Sequence, residues 1–353
     1  MDLACGRGSG QVSLHVVLRF VGAPPSEAKG MSTGQYRAFL GTHCRTADIS
    51  RSGTVIFEPM TRTKLSIAAS AIDMLRTNTM TPGQASKIRG QLGWSATNSF
   101  GRCGRIGTFH IKRRQDEDQV PELTEQLRAA LDFVLKMLDV IEPRSVQIVG
   151  CALPPVVVYS DASYEEESSK PPRLGWVIFD SFQQRPLAWT LDLDPAIVGT
   201  WLPRRQQIFA AEAMAAPAAT SNIPASFRGR DVLWFVDNES ACSTLIRGAS
   251  TQEDVNGIAE CVHVMAMALC CRLWFEWIDS GSNPSDGLSR RASNAKCLET
   301  LPGWQRSRHG QRQRPQRQKS WRRLLRSWVN EHWALGVRWG QFLYKAHRCR
   351  TAC

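Results

Sequence analysis

At 353 residues, with 42% hydrophobic and 22% charged side chains, the chain is long enough for two domains or for one domain with sizeable extensions, and its composition excludes a disordered polymer. The net charge of +12 is concentrated: between Gly303 and Cys353 thirteen basic residues face the single Glu331, so the remainder is close to neutral. A basic end on a neutral body points to a polyanion such as nucleic acid, with a solvated tail as the alternative.

The eleven cysteines form no Cys-x-x-Cys pair and no Cys/His cluster at zinc-ligand spacing. They read as free thiols of a reducing compartment, with Cys270 and Cys271 as buried helix residues. The best apolar stretch near the N-terminus, Val12 to Val21, holds His15 and Arg19. That argues against a signal peptide or a membrane span and for an intracellular location, cytoplasm or nucleus.

Residues 1–59 show little periodicity and remain unassigned. From Lys64 the pattern is helical, with Leu65, Ala68, Ala69, Ile72 and Leu75 on one face. Thr81 is placed to cap a second helix that has Pro82 at its first position and runs through Ile88 and Leu92. After the glycine-marked stretch 100–105, an amphipathic helix is predicted from Pro121 to Asp139 with Leu127, Leu131, Val134, Leu135 and Leu138 as its buried stripe, ended by Pro143.

The character then changes. Three short strands, Val156 to Tyr159, Trp176 to Phe179 and Leu187 to Leu191, are followed by a helix from Arg204 to Ala219 and a strand from Val232 to Val236. Helices from Asn238 to Ile246 and Val255 to Leu269, a strand from Leu273 to Ile278 and a helix starting near Pro284 complete the series. Strands joined by turns predict an antiparallel meander, and strands separated by helices predict parallel additions. The fold class is therefore α/β, a mixed sheet with helices packed on it.

Four acids stand out in this series: Asp161 in Tyr159-Ser160-Asp161-Ala162-Ser163, Glu212 in the helix after Gln206-Gln207-Ile208, Asp237 in Val236-Asp237-Asn238, and Asp286 in Asn283-Pro284-Ser285-Asp286-Gly287-Leu288-Ser289-Arg290. Two end apolar strands, one lies in a helix and one opens a helix, so a single sheet can gather them. Four carboxylates in one cleft would repel one another unless divalent cations neutralised them. Taken singly, each also fits a structural role: Asp161 starting a turn, Glu212 on an exposed helix face, Asp237 as an N-cap, and Asp286 as a first-turn acid.

On these motifs the segment 154–296 resembles the ribonuclease H domain of retrotransposon reverse transcriptases, with Gly175-Trp176-Val177 matching the family's second strand. The resemblance implies a ribonuclease H-like mixed five-stranded sheet flanked by helices. The segment 60–150 resembles, less specifically, the thumb and connection region that precedes the nuclease in such enzymes. A basic, tryptophan-rich tail over 297–353 follows. No Tyr-x-Asp-Asp polymerase motif occurs, so the expected activity is the nuclease alone, from the C-terminal part of a retroelement polyprotein.

What the resemblance implies chemically is hydrolysis of the RNA strand of RNA–DNA hybrids with two Mg2+ ions, Mn2+ being a substitute. Asp161 would bridge both ions, Glu212 and Asp237 would complete one shell, and Asp286 would hold the other. Ser163 and Asn238 are candidate substrate contacts. The loop Asp279–Asn283 lacks the histidine that many ribonucleases H carry before the last aspartate. The alternative is a catalytically inactive ribonuclease H-like protein that binds nucleic acid or scaffolds a complex. In the tail, Trp321, Leu324, Leu325, Trp328, Leu335, Trp339 and Phe342 recur near helical spacing. That pattern suits stacking on nucleic acid, docking on the nuclease segment or lying on a membrane surface.

Overall fold

The computed structural model describes residues 36–290 except positions 40–41, 48, 97, 99–101, 103–104, 106, 117–119, 149–152, 166–169, 184 and 205–206. Gln206 and the basic tail therefore lie outside the described residues. The chain divides into two compact units: Met1–Met60 with Ser145–Ala152, and Thr61–Arg144 with Leu153–Cys353. Among the described residues no helix is long and apolar enough to cross a membrane.

The first unit holds a four-stranded sheet of β1 (Tyr36–Phe39), β2 (Thr42–Arg45), β3 (Thr54–Pro59) and β4 (Arg144–Gln147), in that order. β2 pairs antiparallel with both β1 and β3. Thr54 Oγ1 donates to Gln147 Oε1 at 3.0 Å, and Gln147 Nε2 donates to the Ser52 carbonyl at 2.7 Å. Strands of four residues such as Thr-His-Cys-Arg carry no apolar alternation, and for that reason the pattern left this stretch unassigned. The segment expected over 60–150 thus gives Arg144–Gln147 to this sheet.

The second unit begins with α1 (Thr61–Thr77), α2 (Pro82–Ala96), α3 (Thr108–Asp116) and α4 (Glu125–Val140). Thr81 caps α2 with a reciprocal pair: Gln84 N donates to Thr81 Oγ1 at 3.2 Å, and Thr81 N donates to Gln84 Oε1 at 2.7 Å. On α4, capped by Thr124, the expected Leu127, Leu131, Val134 and Leu138 are buried and Leu135 is partly buried. The expected face of α1 is corrected. Ile67, Ala71 and Met74 are buried, whereas Leu65 and Ile72 are 65% and 55% exposed. Both stripes satisfy the helical period, and packing against α4 selects the one that joins its core. Arg114 of α3 is buried and ties down three carbonyls, those of Met80 (3.2 Å), Glu122 (2.6 Å) and Val120.

The rest of this unit is a five-stranded mixed sheet flanked by helices. Its strands are β5 (Val156–Ser163), β6 (Arg173–Phe179), β7 (Leu187–Asp192), β8 (Asp231–Val236) and β9 (Arg272–Trp277), in the spatial order β7-β6-β5-β8-β9. β5, β6 and β7 form the antiparallel meander, and β8 and β9 add in parallel beside β5. The longer helices that follow the meander are α5 (Ile208–Asn222), α6 (Glu239–Arg247) and α7 (Glu253–Leu269). α5 is nearly all small residues, with Ala210, Ala211, Ala213, Ala216 and Ala219 fully buried, so its backbone lies close against β5 and β6. A last short helix, α8 (Asp286–Ser289), packs on β6.

The helical core and the sheet layer meet on α7, whose Val264 and Met267 join the core of α1 and α4. Glu260 of α7 is buried and accepts hydrogen bonds from Gly107 N and Asn256 Nδ2, each at 2.9 Å. Gly107 has φ +73°, and a Cβ there would come within 2.9 Å of Ala130 Cβ on α4.

Burial pushes the Glu260 carboxyl up to about 7 from its ordinary 4.5. Its folded-state value exceeds the unfolded one, so its contribution to stability is complete below about pH 4.5 and is lost as pH rises through about 7. Glu260→Gln keeps the acceptor oxygen and removes the titration. Relative to this variant, the wild type should lose on the order of 2 kcal/mol between pH 5 and pH 8 in urea unfolding. Parallel pH profiles would contradict the assignment.

Candidate active site

The pairing of β5 with β8 places the first two acids. Ser160 stands opposite Val236 in a parallel ladder, so the next residues, Asp161 and Asp237, are neighbours at the strand ends. Glu212, one turn into α5, reaches the same point because the alanine-rich helix lies against β5. Asp161, Glu212 and Asp237 each offer a carboxylate oxygen, and these oxygens lie within 4.8 Å of one another. Asp161 and Glu212 are buried and Asp237 is half-buried. Glu212 is thus no exposed helix residue, and Asp237 is not the N-cap of α6. The cap is Asn238, whose Oδ1 accepts from Ala241 N at 3.0 Å.

Asp286 opens α8 as expected but stands outside the group of three. Its Oδ1 is held by Arg290, with Nη2 at 2.7 Å and Nε at 2.9 Å. Its charge still reaches Asp161 and Asp237. The resemblance placed four acids together, and the structure brings three together with the fourth beside them.

The residues around the acids fix their positions. Ser289 donates its hydroxyl to Asp161 Oδ2. Ser163 Oγ, a candidate substrate contact in the sequence, donates instead to the Ser289 carbonyl at 2.7 Å. Asn283 Nδ2 donates to the Ser160 carbonyl at 3.0 Å, and its Oδ1 accepts from Ser285 N (3.1 Å) and Ser285 Oγ (2.6 Å). Trp277 Nε1 donates to the Asp237 carbonyl at 3.0 Å, and Trp234 Nε1 donates to Ser160 Oγ at 2.9 Å. Sequence reasoning gave none of Ser289, Asn283 and Trp277 a role, although the first two lie inside the motif that ends at Arg290.

Gly175 on β6 stands opposite Asp161. A Cβ there would lie 2.7 Å from both Leu288 Cβ and Ser289 N. Only glycine lets α8 approach the sheet closely enough to deliver Ser289 to Asp161.

Electrostatically the three acids are strained as a set. Burial pushes Asp161 up to about 6, opposed by the Ser289 hydrogen bond and aided by the charge of Asp237. Glu212 is raised well above the usual carboxylate range by burial and then by the charges of Asp161 and Asp237. Asp237 is raised by burial and held back by Asn283. Glu212 Oε2 is buried with no hydrogen-bond partner. Three convergent carboxylates, one with an orphaned oxygen and none with a thiolate or imidazole beside it in the cluster, fit a hard divalent cation.

No family model and no curated protein matches the chain. Among solved structures it is similar to RNase H1 from the halophilic archaeon Halobacterium salinarum NRC-1, at 15% identity and a TM-score of 0.28, over 38% of this chain and 94% of that one. It is similar to the foamy viral protease-reverse transcriptase in complex with RNA/DNA hybrid, at 12% identity and a TM-score of 0.30, over 79% of this chain and 34% of that one. A further similarity is to a form of that viral protein in complex with ds DNA, at 11% identity and a TM-score of 0.30, over 79% of this chain and 44% of that one. The chain thus spans less than half of each of these two viral chains.

Three outcomes are expected from this geometry. A divalent cation at a hundredfold excess over its Kd should stabilise the wild type by about 2.7 kcal/mol, raising the melting temperature by roughly 5–10 °C. Asp161→Asn should abolish that shift while its metal-free form melts no lower than wild type, because one of three repelling acids is gone. Gly175→Ala should cost about 1–3 kcal/mol through forced displacement of α8, and weaken the cation-induced shift as well. Retention of both the melting temperature and the shift would refute the close approach.

Proposed function

We propose that the segment carrying the acids is a divalent-metal-dependent endonuclease that hydrolyses the RNA strand of RNA–DNA hybrids, inherited from a retroelement reverse transcriptase. The carrying observation is the convergence of Asp161, Glu212 and Asp237, three acids from stretches of chain far apart in sequence, into a buried group that is costly without a cation. The retroelement origin is supported by the run from Asn283 to Arg290, and an intracellular location is proposed with it.

Asp161, Glu212 and Asp237 would hold one ion, and Asp286 would hold the second. Mg2+ suits this all-oxygen set, with Mn2+ as a substitute. Bound metal would supply an acidified attacking water and neutralise the charge that develops on the leaving 3′-oxygen. The chain's own groups supply orientation. Ser289 fixes the rotamer of Asp161, while Asn283 and Trp277 hold the backbone on either side of the β5 and β8 ends. Such positioning matters because an in-line displacement gains its rate from alignment. Choice of the RNA strand would come from contacts to 2′-hydroxyls.

A second reading, an inactive nucleic-acid-binding or scaffold protein, is favoured by one observation: Asp286 is engaged by Arg290 and stands apart from the three. A labelled RNA–DNA hybrid incubated with the full chain and Mg2+ separates the two. The nuclease reading expects endonucleolytic products from the RNA strand that vanish with chelator and fall to background in Asp161→Asn. Binding of the hybrid without metal-dependent cutting would establish the second reading.

A further inference from the structure

At the rim of the acid group the positive charge comes from the protein itself. Arg290, the residue that caps the C-terminal end of the short helix opened by Asp286, holds Asp286 Oδ1 with two nitrogens at 2.7 and 2.9 Å. Its charge also acts on Asp237. The guanidinium therefore grips Asp286 directly, while the deeper Asp161 accepts the Ser289 hydroxyl. The Arg290 side chain is 64% exposed and Asp286 29% exposed. An ion pair with its arginine this exposed is weakly held.

Taking the three acids as a metal site, on which this inference rests, we propose that Arg290 is an internal counter-ion that makes the two cation-binding events unequal. The first event, at Asp161, Glu212 and Asp237, proceeds with Arg290 in place. The second needs Asp286 and requires the guanidinium to swing away. The nuclease would then rest with one ion bound and take its second only when the rim is opened, as by a substrate phosphate that offers Arg290 another anion. Arginine suits this exchange, since its fork matches carboxylate and phosphate alike.

The test titrates the full chain with Mn2+ and follows the free ion by its electron paramagnetic resonance signal, a readout independent of catalysis. Wild type should show two events, the second weaker. Arg290→Gln should tighten the second by roughly two- to fivefold, the range of an exposed ion pair, and change the first less. Arg290→Lys, which keeps the charge, should stay near wild type, and Asp286→Asn should lose the second event whatever stands at 290. Circular dichroism of each variant checks the fold. Equal changes in both events, or none in Arg290→Gln, would overturn the counter-ion role. Absence of any Mn2+ uptake that Asp161→Asn abolishes would overturn the metal site and this inference with it.

Discussion

The mutual repulsion of three carboxylates forced into one small volume governs this molecule. No folded chain gathers such groups without a device that holds them there, and here the device is mainly backbone. The parallel register of β5 and β8 sets Asp161 beside Asp237, and the ladder that enforces it runs from Val156 opposite Val232 to Ser160 opposite Val236. Sliding that register by one residue would invert every side chain of the strand and empty the site. The hydrophobic core under the strands, with Val158, Trp234 and Val236 fully or almost fully buried, resists such a slide.

Other features serve the same confinement. The alanine-rich surface of α5 lets a helix backbone come near enough to the sheet to place Glu212 over the strand ends, and a larger side chain at Ala211 or Ala213 would hold it off. Gly175 plays the corresponding part for α8 on the other side of Asp161. Two close approaches, each secured by missing side-chain volume, set the acids in place. Asn283 then locks the turn that leads into α8 through its contacts with Ser160 and Ser285. The raised pKa values of Asp161 and Glu212 and the Glu212 oxygen without a hydrogen-bond partner mark the tension, which favourable interactions with a cation would offset.

Much of this was legible in the sequence because the signals are local and periodic. Val-Val-Val-Tyr before Asp161 and Leu-Trp-Phe-Val before Asp237 can only be buried strands, and each strand found extends the predicted one by a few residues at most. The Thr81-Pro82 start of α2 and the Leu127 to Leu138 stripe of α4 were equally plain. Illegible were the choice between two apolar stripes on α1, the short polar strands of the N-terminal sheet and the gift of β4 to that sheet. All three depend on which distant surface a segment meets.

The sequence by itself determined the order of elements, the α/β class and the four acids with their places on strand end and helix. Those properties follow from residue spacing, which the chain carries before it folds. Only the tertiary structure decided that three acids converge while Asp286 turns to Arg290, that Asn238 rather than Asp237 caps α6, and that Ser163 is spent on the Ser289 carbonyl. The reason is geometric. Distances of a few ångströms between residues 51 and 76 positions apart arise from sheet register and helix approach, which no local pattern encodes.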